Sequence, residues 1–409
     1  MPLTILTDSE VRSVLNSLQR DDVVQLQRSL ADALHAYSTG NQDDGCCSMY
    51  QPPRTSISPM NGSTTLFMPA STSTSIGMKI VTLSGSSTST SISPSTAAVT
   101  SATTTPRGSL TLLDATGSPT GLLNAEELTA FRTALAGTLL FTRRTHVSNI
   151  TVFGAGKQAY WHIRLALLLR GPEIKRVNII NRSFAPAQRL LQSFYSEDAD
   201  SFRGATKFTV LTADYGEYAR VLKEDVRKAD VIFTCTPATT ALFPPECLTS
   251  HEGRRKGRLL VAIGSYKPHM CELHPDILRQ ATAPPHTRHH HKHATQGGVV
   301  IVDSLDACLK EAGEIIQAGL GPHQLVEVGE LMMLKKQAMG LKEVEPVDES
   351  SLESNGRGGE AGSDGLREWL AKGNVIYKSV GMGLMDLVVG GDVVALAREM
   401  GVGTTIEDF

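Results

Sequence analysis

From about residue 148 onward, short apolar runs alternate with longer amphipathic stretches. Runs near 150–153, 177–181, 207–211, 230–235, 258–264 and 299–303 are rich in β-branched residues and apolar on both faces. Strands of that kind, separated by helical stretches, predict a buried parallel sheet. The pattern before residue 148 is different. Thr7-Asp8-Ser9-Glu10 has the form of a capping box and opens a helix with Val11, Val14, Leu15 and Leu18 on one face. A second helix carries Val23, Leu26, Leu30, Ala33, Leu34 and Tyr37. Residues 64–83 read as paired strands, and 109–123 as a hairpin turning at Ala115-Thr116-Gly117-Ser118. A helix from about Asn124 follows, with Leu128, Phe131, Leu135 and Leu139. The chain is expected to finish with a strand at Val375 to Val380, a glycine turn and a helix from about Asp392.

These patterns predict two domains, one of residues 146–369 and one built from both ends, 1–145 and 370–409. Three polar segments interrupt them. Residues 84–108 are Ser/Thr-rich, 281–298 carry His289 to His291 and His293, and 349–365 are acidic and Gly-rich. None has the apolar content to join a core, so each reads as a flexible insertion. No carboxylates or cysteines accompany the histidines, and no metal site is expected.

The formal charge of −3 over 409 residues gives no reason to invoke nucleic acid or anionic lipid. No apolar run approaches membrane-spanning length. The start, MPLTILTDSEVRS, lacks a basic region followed by an apolar stretch, so secretion is not expected. Cys46, Cys47, Cys235, Cys247, Cys271 and Cys308 are scattered without CxxC spacing, which fits a reducing, cytoplasmic setting.

The chemistry begins at ITVFGAGKQA, residues 150–159. A strand meets Gly154-Ala155-Gly156, and a helix starts at Lys157 and Gln158. Gly154 permits the tight turn, Gly156 lets the backbone approach a pyrophosphate, and Ala159 fills the third small position. The second strand of this unit ends at Asn181-Arg182-Ser183, where NAD enzymes usually carry an acid for the ribose hydroxyls. No carboxylate repels a 2′-phosphate here, and a guanidinium and a hydroxyl are available to bind one. NADPH is therefore expected over NADH, unless Arg182 is an ordinary solvated arginine.

GMKIVTL, LDATGSPTGLLNAEELTAFRTALAG, ITVFGAGKQAYWHI, VNIINRS, LVAIGSYKPHMCEL and YKSVGMGLMDL occur in that order. Together, over roughly residues 50 to 405, the chain resembles the ornithine cyclodeaminase/mu-crystallin family. The resemblance implies an α/β fold, with a Rossmann-type dinucleotide-binding domain and a separate α+β substrate and dimerisation domain. It also implies a homodimer acting on imines of amino acids. Lys79 matches the family's active-site lysine, Arg132 an arginine that meets the substrate carboxylate or cofactor phosphates, and Arg54 a second carboxylate-binding arginine. Thr133, Thr234, Thr236, Pro237, Ser379 and Gly381 join Arg132 and the glycine loop as expected cofactor contacts. A lysine near two arginines should have a depressed pKa and so exchange a proton with an imine nitrogen.

One departure bears on the reaction. Deaminating members carry an Asp in a GGDxPG-type turn, and the aligned position here is Tyr266, with Ser265 and Lys267 beside it. Tyrosine is a poor replacement for that carboxylate. Tyr266 and Asp303 join Lys79 as candidate catalytic residues, with a helix cap as the other reading of Asp303. The reading is thus a reductase of an α-imino acid, with a cyclic ketimine carboxylate as the favoured substrate. An ornithine cyclodeaminase-like lyase with bound NAD and a non-catalytic ligand-binding protein stay open as alternatives.

Overall fold

The computed structural model describes residues 2–40, 51–58, 63–83, 106–196, 199–283, 298–332 and 359–409. Cys46, Cys47, the four clustered histidines and most of the three polar segments lie outside these residues. Two compact units are formed.

The first unit takes Met1–Leu18, Gly40–Arg132 and Met382–Phe409. Its sheet contains β1 (Leu3–Leu6), β2 (Thr55–Ile57), β3 (Thr64–Ser71), β4 (Ser75–Leu83), β5 (Arg107–Asp114) and β6 (Pro119–Asn124). From the chain's end it adds β15 (Thr404–Ile406). The order is β15-β1-β6-β5-β4-β3-β2. The strands of the 64–83 and 109–123 segments pair antiparallel, as their alternation predicts. In β4, Gly77, Lys79 and Val81 point into the unit while Ile76 and Met78 point out.

The inner face is covered by helix Gly383–Glu399. This helix begins nine residues before the expected Asp392, because the glycines that suggested a turn are helical. They make room for the sheet. A Cβ at Gly390 would lie 2.4 Å from Leu110 Cδ2, and one at Gly383 would lie 2.9 Å from the Met68 carbonyl oxygen. On the sheet side, a Cβ at Gly77 would lie 2.7 Å from Leu387 Cδ1.

The second unit takes Gln19–Thr39 and Thr133–Gly381. Its eight strands are all parallel: β7 (Asn149–Phe153), β8 (Arg176–Asn181), β9 (Lys207–Thr212), β10 (Val231–Thr234), β11 (Leu259–Ala262), β12 (Val300–Val302), β13 (Leu325–Glu327) and β14 (Val375–Lys378). Their order is β13-β12-β14-β11-β10-β7-β8-β9. The β10, β11 and β14 residues are all buried, as their apolar runs require.

The division falls at 132/133 and 381/382 rather than at 145/146 and 369/370. Strand β14 hydrogen-bonds between β11 and β12, so it belongs to this sheet. Helix Arg20–Thr39 also belongs here. Its buried Gln27 donates to Thr138 Oγ1 at 2.7 Å, and His35 Nδ1 lies 3.1 Å from the Gly329 carbonyl oxygen. Among the described residues, no helix is long and apolar enough to cross a membrane. Cys235, Cys247, Cys271 and Cys308 are free thiols.

Candidate active site

In the second unit the chain runs from β7 outward to β8 and β9 on one side, and to β10 and β11 on the other. The carboxyl ends of β7 and β10 therefore flank a topological switch point, where open parallel sheets bind ligands. Gly154 leaves β7 there with φ +107°, a conformation that favours glycine. A Cβ on it would lie 2.7 Å from the Cys235 carbonyl oxygen, whereas Gly156 faces open space. Gly156 is also the N-cap of helix Lys157–Arg170, with no side-chain cap hydrogen bond. A helix N-terminus without a side-chain cap, and open space beside Gly156, fit a dinucleotide pyrophosphate. At the end of β8, Arg182 and Ser183 are exposed, and Asn181 Nδ2 donates to the Ser183 carbonyl at 2.8 Å.

The loops beyond β10, β11 and β14 are stitched together by buried carboxylates that the sequence did not reveal. Glu272 accepts from Thr236 N (2.7 Å), Thr236 Oγ1 (2.9 Å), Thr234 Oγ1 (3.0 Å) and Gly264 N (2.7 Å). The hydroxyls of Thr234 and Thr236 are thus engaged inward, and Pro237 is exposed at the loop's crest. Burial pushes the Glu272 carboxyl pKa up, against the nearby Lys378 charge. Glu314 accepts from Ser265 Oγ and Glu272 N, and Lys378 donates to the Ser265 carbonyl at 2.6 Å.

Asp303, expected as a candidate acid, has a different task. It accepts from Ser379 Oγ (2.6 Å), Gly381 N (2.7 Å), Val380 N and Ser304 N (3.0 Å). All these partners are donors, so the carboxylate organises the Ser379–Gly381 turn. It is not a helix cap either, because Ser304 fills that position. Tyr266 is half-buried beside β11, and burial raises its phenol pKa. That moves it further from proton exchange near neutrality.

The charged centre of the first unit lies on β4 and the helices packed against it. Lys79 is 2 % exposed, between Met68 of β3 and Leu110 of β5. Its Nζ donates to Asp386 Oδ1 at 2.9 Å, and Arg132 Nε donates to the same oxygen at 3.1 Å. Arg132 Nη1 lies 3.5 Å from Met385 Sδ. Burial brings the Lys79 pKa down to about 8; Asp386 opposes the fall, while Arg132 and the half-buried Arg54 add to it. Thr133, next to Arg132, is buried and belongs to the second unit. The sequence singled out Lys79, Arg132 and Arg54, which the structure brings near one another, but not Asp386. A lone acid in the apolar run GLMDLVVGG was the available signal. Among the described residues, no cluster of His, Cys, Asp and Glu could hold a metal ion.

A profile of the Ornithine cyclodeaminase/mu-crystallin family matches residues 8–324. An uncharacterized protein of Saccharomyces cerevisiae is 28 % identical over 249 residues, which cover 56 % of this chain and 64 %, just under two thirds, of the yeast protein. A Δ(1)-pyrroline-2-carboxylate reductase of Bacillus cereus is 27 % identical over 301 residues, 71 % of each chain. The structure of the Δ(1)-pyrroline-2-carboxylate reductase of Thermococcus litoralis, in complex with NADH and L-proline, superposes with a TM-score of 0.67. It covers 98 % of this chain and 100 % of that one at 18 % identity, a likeness of fold.

Proposed function

The chain belongs to the ornithine cyclodeaminase/mu-crystallin family, and from that premise we propose that it is an NADPH-dependent reductase of an α-imino acid, with a cyclic ketimine carboxylate as preferred substrate. The observation that carries this reading is the buried Lys79–Asp386–Arg132 cluster. Two buried cations, Lys79 and Arg132, share one carboxylate oxygen there. An uncompensated positive charge in a buried setting favours an anionic ligand, and guanidinium forks suit a planar carboxylate.

Arg132 and Arg54 bind the substrate carboxylate. Lys79, with its pKa brought to about 8, is protonated at neutral pH yet gives up its proton readily. It passes that proton to the imine nitrogen and is recharged from solvent. The nicotinamide, when bound, supplies hydride to the imine carbon. The Gly154–Gly156 turn and the first turn of the following helix would hold the pyrophosphate, and Arg182 and Ser183 the 2′-phosphate. Tyr266 in place of a carboxylate disfavours cyclodeamination, which needs a base for the substrate amine. The same reading takes the protein as a homodimer, joined through the outward sheet face of the first unit.

Cofactor oxidation against a panel of cyclic and linear imines tests the reading. NADPH should be consumed with α-imino carboxylates and not with imines lacking the carboxylate. Release of ammonia from ornithine without added cofactor would contradict it.

A further inference from the structure

Three buried carboxylates of this protein differ in one respect. Asp303 and Glu272 accept hydrogen bonds on both oxygens. Asp386 does not. Its Oδ1 takes both Lys79 Nζ and Arg132 Nε, while its Oδ2 is fully buried with no hydrogen-bond partner among the described residues. An anion kept only for scaffolding is normally saturated with donors, and a buried unsatisfied oxygen calls for an explanation. Among the described residues, its hydrogen-bond donors are these two cations.

We infer that Asp386 is a positioning residue that keeps the buried Lys79 protonated for reaction and fixes its spacing from Arg132. The elements packed around Lys79 supply few charges. The flanking strand residues are Met68 and Leu110. Helix Ala125–Phe141 supplies Arg132, the segment before β2 supplies Arg54, and helix Gly383–Glu399 supplies Asp386. Burial and both arginines therefore oppose the ammonium form, and among the described residues only Asp386 favours it. The face Gly383–Asp386–Gly390 accounts for the approach: its two glycines let the helix lie close enough for a short aspartate to reach the strand lysine. Asp386 acts through Lys79, so it touches neither bond being made. The consequence for turnover rests on the imine-reduction reading, but the protonation claim does not.

The test is competitive acetylation of the full-length protein with acetic anhydride across pH, with Lys79 followed by peptide mass and surface lysines as internal standards. Only the midpoint matters, so slow access to a buried amine does not obscure it. Wild-type Lys79 should titrate near 8. In Asp386→Asn it should titrate at least about one unit lower, and in Asp386→Glu within about half a unit of wild type. The alkaline limb of kcat should move to lower pH by the same displacement in Asp386→Asn, whereas a purely structural residue would lower kcat equally at every pH. A Lys79 midpoint in Asp386→Asn at or above wild type overturns the inference. Should that variant not fold, Asp386→Glu decides: retention of the midpoint supports the inference, and a fall of about one unit overturns it. If no imine is turned over by the wild type, the function proposed above fails while the labelling result stands.

Discussion

His162 carries its imidazole inside the second unit, against the Phe233 ring at 4.9 Å between centroids, with Nδ1 2.8 Å from the Gln158 carbonyl. Burial brings its pKa down to about 4. The unfolded chain holds this proton up to about pH 6.5, so His162 favours the fold fully above that pH and loses its contribution as pH falls toward 4. Between pH 7 and 5 the loss should be about 2 kcal/mol. His162→Phe keeps the ring contact, and denaturant unfolding at both pH values should give a correspondingly smaller drop. An equal drop would place the acid sensitivity elsewhere. Arg182 is exposed at the end of β8 with no ion-pair partner among the described residues. Arg182→Ala should weaken NADPH by about 1–3 kcal/mol and leave NADH nearly unchanged, measured by titration calorimetry. Tighter NADH binding by the wild type would reverse the cofactor reading. The burial and ion pairing of Lys79 could be anticipated because a charge in an otherwise apolar strand is conspicuous. Asp386 was not, since it sits where the sequence suggested a turn. Asp303 misled because a strand-end acid looks alike whether it serves chemistry or backbone N–H groups.

At the scale of elements, alternation located the sheets, and β7–β12 lie within a residue or two of their apolar runs. The failure was helix Gly383–Glu399, whose glycines read as chain reversal when they serve close packing. Gly390 and its neighbour Gly391 separate the two meanings. Beyond Gly391 there is nothing within 4 Å, while Gly390 abuts Leu110. Gly391→Ala should be neutral or stabilising by up to about 1 kcal/mol, through helix propensity alone. Gly390→Leu must push the helix off the sheet, costing about 1–3 kcal/mol. It should also depress activity, because Asp386 rides on the same face. Thermal unfolding and turnover of the two variants check this: equal behaviour would mean that helix and sheet do not pack as closely as described.

At the scale of the whole molecule, two domains and a segment order could be read from periodicity, but their borders could not. The helix Arg20–Thr39 follows its partners in the second unit through Gln27 and His35, contacts distant in sequence that local pattern does not encode. The first unit's sheet leaves Ile76, Met78 and Leu122 between 36 % and 44 % exposed on its outward face. An apolar face of this kind suits burial against a second copy. Met78→Glu combined with Leu122→Glu should convert the expected dimer to a monomer by analytical ultracentrifugation; an unchanged mass would move the contact elsewhere. The central claim is that Lys79 delivers the proton in imine reduction, and its most direct test is the steady-state rate of Lys79→Met on the best imine carboxylate. That variant keeps length and apolar packing, so folding and NADPH binding should persist while kcat falls by about 10²–10⁴-fold and the limb near pH 8 disappears. A Lys79→Met protein that reduces the imine at close to the wild-type rate would contradict the account.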